Sequence, residues 1–252
     1  MMNRQQKPSK ILLIGDGCYD EYCYGAVTRL NPEAPVPVLD WHTTIRKLGM
    51  AGNVLQNFQA LGVDCHYDIL YKETKKRYID SKTGQQIIRV DIPLVEEKHN
   101  EYRLHNFNDY DAVVISDYNK GYVTNFLIRS ILESYDGPVF IDTKKQNLEL
   151  FNKAFVKINQ YEYENRTSDA DKMIVTYGSE KVTYKDKVYF PPKVDAHDVC
   201  GAGDTFLAAV AYSYLETGSI EKAIEFAMKA AAVTVQHVGV YAPRLEEIKH
   251  AA

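Results

Sequence analysis

Asp198-Val199-Cys200-Gly201-Ala202-Gly203-Asp204-Thr205-Phe206 is the stretch of this 252-residue chain whose residue types and spacing could do chemistry. Two glycines bracket a small residue, and an alanine-rich helical pattern follows at once. Glycines let a turn aim its N–H groups at one point. A helix N-terminus adds partial positive charge, so Gly201, Ala202 and Gly203 are suited to an anion such as a phosphoryl group. A carboxylate beside that anion would repel it as a binding group. Asp204 makes better sense as a base that takes a proton from an attacking hydroxyl. The alternative on residue types alone is a tight loop, with Asp204 serving the helix dipole. No G-x-x-x-x-G-K-[ST] occurs, and no G-x-G-x-x-G follows the first strand, so P-loop and dinucleotide chemistry are excluded.

The elements that must position this turn read as a parallel α/β fold. Lys10 to Ile14, Asp111 to Ser116, Pro138 to Asp142, Ala154 to Ile158 and Lys172 to Thr176 are short buried strands. The first is expected to end at Gly15-Asp16. Helical spacing predicts helices over Gly49 to Leu61, with Gly62 as a stop, and around Val123 to Ser134. From Asp204 to Val238 the pattern is helix on helix, broken at Gly218-Ser219. Strands alternating with helices argue for a parallel sheet flanked on both faces. Tyr22 to Trp41 breaks the alternation: its alternating apolar residues and Pro32, Pro35 and Pro37 suit edge strands and turns. Arg77 to Asp91 reads as strand, turn over Ser81 to Gly84, strand. Val182 to Phe190 reads as a hairpin. One domain over 1–252 is expected, carrying a small β appendage, and the opening ten residues read as a tail.

Composition narrows the partners. Thirty basic and 34 acidic side chains leave a net charge of −4, which argues against nucleic acid. Apolar runs such as Phe206 to Leu215 fall short of the roughly 20 residues that span a bilayer. No leader pattern opens the chain, so secretion is not expected. Cys18, Cys23, Cys65 and Cys200 lack C-x-x-C spacing and read as thiols of a reducing compartment, with a cytoplasmic location expected. No histidine pair suggests a metal, whereas a divalent ion held by carboxylates and phosphates leaves little trace in sequence.

Gly201-Ala202-Gly203-Asp204 before an alanine-rich helix resembles the signature of the ribokinase-type (PfkB) carbohydrate kinases. Gly15-Asp16, Asp20-Glu21-Tyr22, Tyr24-Gly25, Arg29 and Pro32-Glu33-Ala34-Pro35-Val36-Pro37-Val38 are similar to the opening of the heptose 7-phosphate kinases in this family. These also form the kinase half of bifunctional ADP-heptose synthases. Gln85 to Asp91, Ser116 to Gly121 and Ile141-Asp142 continue the likeness in order. The resemblance implies a ribokinase-like three-layer sandwich with a mostly parallel sheet and a β lid formed mainly within 18–47. It implies ATP and Mg²⁺ as cofactors, transfer to the O1 hydroxyl of a sugar phosphate, and a homodimer through the lid. A kinase for another sugar or a nucleoside, and a non-catalytic binding relative, are the other readings.

Residue by residue, Asp204 matches the base and Gly201 to Gly203 the anion hole. Asp16 and Asp20 match carboxylates at the sugar end, where they suit vicinal hydroxyls. Gly49 and Asn53 match the sugar-binding G-G-x-x-N turn. Arg89, Lys120 and Lys144 match basic positions near substrate phosphate or the transferred group. Asn159 and Glu162 match the N-x-x-E motif that organises Mg²⁺, through water, and the nucleotide phosphates. Thr176, Gly178 and Gly239 would flank the nucleotide base. On residue types alone, Asp16 could equally cap a turn, Glu162 lie on a solvated helix face, Lys120 and Lys144 sit at the surface, and Arg89 pair with Asp91.

Three departures stand out. Met50 occupies the place of the family's second glycine. About ten residues separate Gly62 from Lys72 where relatives have a further strand and helices, and another trim falls between Arg166 and Lys172. Thr143-Lys144-Lys145 replaces Pro-Lys-Gly. With no nucleotidyltransferase segment after residue 252, adenylyl transfer is not expected.

Overall fold

A computed structural model describes residues 9–94 and 105–251; most of the expected opening tail lies outside them. Ten strands form one sheet in the order β10-β9-β8-β7-β6-β5-β1-β3-β4, with β2 paired to β1. Its centre is parallel: β5 (Ala112–Asp117), β6 (Val139–Thr143), β7 (Phe155–Asn159) and β8 (Met173–Thr176) run alongside the first part of β1 (Lys10–Leu30). The hairpin β9 (Val182–Tyr184) and β10 (Lys187–Tyr189) closes one edge, as expected.

Side chains alternate across this sheet and so build two cores. Ile11 and Leu13 of β1 join Val54 and Phe58 of α1 (Ala51–Ala60), Leu207 of α4 (Ala202–Thr217) and Ile224 of α5 (Ile220–Thr234). Leu12 and Ile14 join Leu127, Ile128 and Ile131 of α2 (Asn125–Ser134) on the opposite face. The three layers follow from apolar runs that are buried on both sides. Two short helices, α3 (Gln160–Glu164) and α6 (Leu245–His250), complete the set.

Two strands outrun their expected length. Instead of stopping at Ile14, β1 continues to Leu30 without a turn at Gly15-Asp16. The cause is pairing on both edges: β2 (Pro37–Met50) runs antiparallel along one side, and β3 (Asp64–Asp80) runs parallel along the other. Asp64 to Tyr71, unassigned from sequence, forms the core half of β3 and carries straight on into the extension. The trim after Gly62 is thus closed by one 17-residue strand. Beyond the sheet, the distal parts of β1, β2 and β3, with β4 (Gln86–Pro93), make a four-stranded extension. Pro32 and Pro35 lie in its turn, and Pro37 opens β2, where no central ladder position is disturbed.

The close seating of α1 on the sheet depends on Gly15. A Cβ there would stand 2.5 Å from the Ser116 carbonyl oxygen and 2.7 Å from the Ala51 Cβ. Gly15→Ala is therefore expected to lower stability by about 1–3 kcal/mol through overpacking. A urea midpoint unchanged from the parent protein would contradict this.

Candidate active site

Helix α4 opens directly from the glycine turn. Gly201 is its N-cap residue at φ +81°, in the left-handed region. A Cβ on Gly201 would come within 2.7 Å of the Asn53 Nδ2, so the bare backbone leaves room for that side chain. The Ala202 N–H bonds the Val199 carbonyl at 3.3 Å. The N–H groups of Gly203 and Asp204 belong to the first turn, where no helix carbonyl precedes them to accept. Beneath the turn lies Lys157 of β7, nearly inaccessible to solvent; its Nζ would be 2.9 Å from a Cβ on Gly203. Backbone donors, helix dipole and a buried ammonium thus converge on one point suited to an anion.

Asp204 is 5% exposed and both its oxygens are held. Asn53 Nδ2, from the first turn of α1, donates to Oδ2 at 2.9 Å, and the Tyr118 hydroxyl donates to Oδ1 at 2.8 Å. Burial pushes the Asp204 carboxyl up to about 6. The nearby Asp142 pushes the same way, while the Asn53 and Tyr118 hydrogen bonds and Lys157 oppose it. Such a group is ionised at neutral pH yet basic enough to take a proton.

A second cluster adjoins it at the ends of β6 and β7. Lys157 Nζ donates to Asp142 Oδ2 at 2.7 Å, and Lys144 Nζ bonds Glu162 Oε1 and lies 3.7 Å from Asp142 Oδ1. Asn159 and Glu162 form a reciprocal cap on α3: Glu162 N–H donates to Asn159 Oδ1 at 2.9 Å, and Asn159 N–H donates to Glu162 Oε2 at 2.7 Å. Burial pulls the Lys144 ammonium down, but Asp142 and Glu162 more than reverse this and leave it above its ordinary value. Asp142 Oδ1 is buried without a hydrogen-bond partner. That orphan acceptor beside a lysine fits a hydrated divalent cation carried with phosphates. Among the described residues, no group of three or more His, Cys, Asp or Glu side chains could cage a metal without them.

The expected sugar-end residues divide. Asp20 accepts from Arg77 Nη1 at 2.5 Å, and its Oδ2 packs so closely on Gly49 that a Cβ there would be 2.1 Å away. Met50 follows at φ +57°, ψ −129°, a conformation that glycine adopts without strain and a side chain does not. Asp16 turns to the backbone instead. It is fully buried, and its oxygens accept from the backbone N–H groups of Tyr118 (2.9 Å), Lys120 (3.2 Å) and Tyr122 (3.2 Å). Lys120 Nζ pairs with Glu73 at 3.1 Å, and Arg89 pairs with Asp91 through bonds of 2.9 and 3.0 Å. Strand register nevertheless puts Arg89 opposite Arg77, on the same face of the extension as Tyr22, Asp20 and Lys47.

Of the residues expected at the nucleotide base, Thr176 stands opposite Asn159 on the adjoining strand, and Gly178 (φ +57°) turns the chain just after it. The Gly239 N–H donates to Asp198 Oδ2 at 2.8 Å, and Asp198 Oδ1 accepts from the Cys200 N–H. Gly239 is thus tied to the approach of the glycine turn, beside Lys47 and Tyr22. Sequence reasoning did not single out Tyr118, Asp142 or Lys157 for a role. A lysine inside the buried run Phe155-Val156-Lys157-Ile158 was a readable signal, since lone charges seldom sit in such strands.

Comparison with known proteins shows the family and the fold. A family model described as pfkB family carbohydrate kinase matches residues 49–248. Bifunctional protein HldE of a Nitratiruptor species is 30% identical over 297 aligned positions, covering 95% of this chain and 64% of that protein. Bifunctional protein HldE of Helicobacter pylori is also 30% identical, over 95% and 65%. The chain therefore spans just under two thirds of the length of these relatives. An Arabidopsis thaliana ribokinase, solved in complex with ribose and ATP, superposes with a TM-score of 0.70 over 96% of this chain and 98% of that one at 16% identity. That likeness shows a ribokinase fold.

Burying Asp204 has a stability consequence with a definite sign. Its folded value of about 6 exceeds the ordinary carboxylate value of 3.8, so nothing is lost below pH 4, where both states hold the proton. As pH rises from 4 to 6 the unfolded chain ionises first and stability falls; above 6 the full cost persists. Asp204→Asn removes this dependence. Its stability relative to the parent protein should climb by about 2–3 kcal/mol between pH 4 and 7, read from urea unfolding at each pH. A difference that is flat with pH would show that the carboxyl is not perturbed.

Proposed function

The chain belongs to the pfkB family of carbohydrate kinases, and we propose that it is an ATP-dependent sugar kinase acting on heptose 7-phosphate at O1 to give the 1,7-bisphosphate. The observation that carries the kinase reading is the buried Asp204 carboxylate in the first turn of α4, beside free backbone donors and above Lys157. The acceptor oxygen forms a bond to the γ-phosphorus as the bond to the β,γ-bridging oxygen breaks, and the acceptor proton passes to Asp204. The N–H groups of Gly203 and Asp204 receive charge developing on the phosphoryl oxygens. Mg²⁺, when bound with the nucleotide, neutralises phosphate charge; Asp142, Asn159 and Glu162 are the residues that would hold it through water.

Choice of acceptor rests on the motifs from Gly15 to Val38, on the similarity to HldE proteins, and on the cationic inner face of the extension. This extension acts as the lid of one kinase domain. Met50 favours a second acceptor, a ribose- or fructose-type sugar or a nucleoside, because it follows Gly49, which packs on Asp20. Four free thiols support a reducing, cytoplasmic location, and no helix among the described residues is long and apolar enough to cross a membrane.

A coupled assay of ADP release against a panel of sugars and sugar phosphates tests the proposal. Heptose 7-phosphate should give the highest kcat/KM, with an acid limb near pH 6 set by Asp204. Asp204→Asn should lower kcat by about 10²–10⁴ with little change in nucleotide affinity. Turnover equal to the parent protein would remove Asp204 as the base.

The homodimer is proposed through the outer face of the lid. Register places Ile88, Val90 and Ile92 of β4 on the face of Glu21 and Lys76, away from Asp20, and all three are exposed. Sedimentation at tens of micromolar should show a dimer that Val90→Asp converts to monomer. A parent protein found as monomer throughout ends that proposal.

A further inference from the structure

Tyr118 stands between three features that the proposed reaction needs, without being one of its acting groups. Its backbone N–H is anchored on the fully buried Asp16, which also holds Lys120 and Tyr122 of the same loop. Its ring lies under the Lys144 ammonium, 5.3 Å from Nζ. Its hydroxyl ends on Asp204 Oδ1, opposite the Asn53 amide on Oδ2. We propose that Tyr118 is a positioning residue for the base, and that Asp16 works at a distance by fixing the loop that presents it. The inference rests on the kinase reading for its catalytic consequence, but its structural part stands independently.

The chemistry follows from the two donors. A carboxylate rotates freely about its last bond unless both oxygens are held, and a donor to each one fixes its plane. Each oxygen keeps a further acceptor position, so an incoming hydroxyl can still bond to one of them. Donation from the phenol favours the ionised carboxylate and offsets part of the burial penalty. The phenol stays protonated as the carboxylate titrates, because burial and the adjacent Asp204 and Asp142 charges push it well above its usual value. The other groups that face Asp204 are Asn53 from α1, Asp142 and Lys144 from the β6 end, Lys157 from β7, Cys18 from β1 and Cys200 from the turn before α4. Of these, Asn53 is the other hydrogen-bond donor to the carboxylate.

Asp16 thereby acts through the backbone it holds. Its effect on turnover runs through the 117–122 loop, where Asn119 and Gly121 both take positive φ and leave the backbone little freedom to re-aim Tyr118 once Asp16 is bonded.

The experiment titrates the Asp204 carboxyl carbon by ¹³C NMR in the nucleotide-free full chain and, separately, records the pH profile of ADP release with the best sugar of the panel. In Tyr118→Phe the carboxyl should titrate about one pH unit higher, and the acid limb of kcat/KM should move with it, for a roughly tenfold loss at pH 5.5 that recovers above pH 8. Site-specific 3-fluorotyrosine at 118, a more acidic phenol, should move both in the opposite direction and covers the case in which Tyr118→Phe does not fold. Asp16→Asn should reproduce part of the upward shift and add nothing to it in the double variant. A carboxyl titration unmoved by either change at 118 overturns the proposal. An equal loss of turnover at every pH, with the limb in place, overturns it too. A carboxyl that shifts as described while no sugar yields ADP upholds the positioning of Asp204 and sinks the kinase reading instead.

Discussion

Everything in this molecule bears on one costly arrangement: a carboxylate is kept out of water at the start of a helix, next to a turn shaped for an anion. Left alone, a buried Asp204 would simply hold its proton. Two neutral donors and a lysine below the turn moderate that tendency, so the group rests near the pH at which a proton acceptor is useful. Active sites concentrate such perturbed groups, and stability is lost where they do.

The fold supplies what that arrangement requires. Asn53 comes from α1, Tyr118 from the loop after β5, Lys157 from β7 and the glycine turn from the approach to α4. These segments are far apart in sequence and meet because the parallel strands deliver their C-terminal ends to one edge of the sheet, where ligands of open α/β folds bind. Gly15 lets α1 lie close enough for Asn53 to reach across. The Asp16 carboxylate, spent on three backbone amides, holds the loop bearing Tyr118.

The extension presents two faces of different character. Two of its strands, β1 and β3, run unbroken out of the core sheet, and β2 and β4 pair along them. Alternation gives one face Asp20, Tyr22, Lys47, Arg77 and Arg89, and the other Glu21, Lys76, Val90 and Ile92. Charges of both signs compensate within each face: Arg77 with Asp20, and Glu21 with Arg46 and Lys76. Lys47 instead donates to a neutral carbonyl, that of Val240, which links the extension to the loop carrying Gly239.

Local patterns in the amino-acid order determined the parallel sheet, the helix at Gly49 to Leu61, the hairpins, and the turn at Gly201 to Asp204. Each of these is written in residues a few positions apart: apolar runs, turn formers, a glycine pair before an alanine-rich helix. The core half of β3 escaped notice because Asp64-Cys65-His66-Tyr67-Asp68 is polar on one side, although its period of two was there to be read. What only the tertiary structure decided is partnership. That Asp16 meets the backbone amide of Tyr118, and that the Tyr118 hydroxyl and the Asn53 amide reach Asp204, depends on groups 86 to 151 residues apart. Hydrogen bonds and ion pairs form over a few ångströms in space, and no local pattern encodes which distant groups the packing brings within that range.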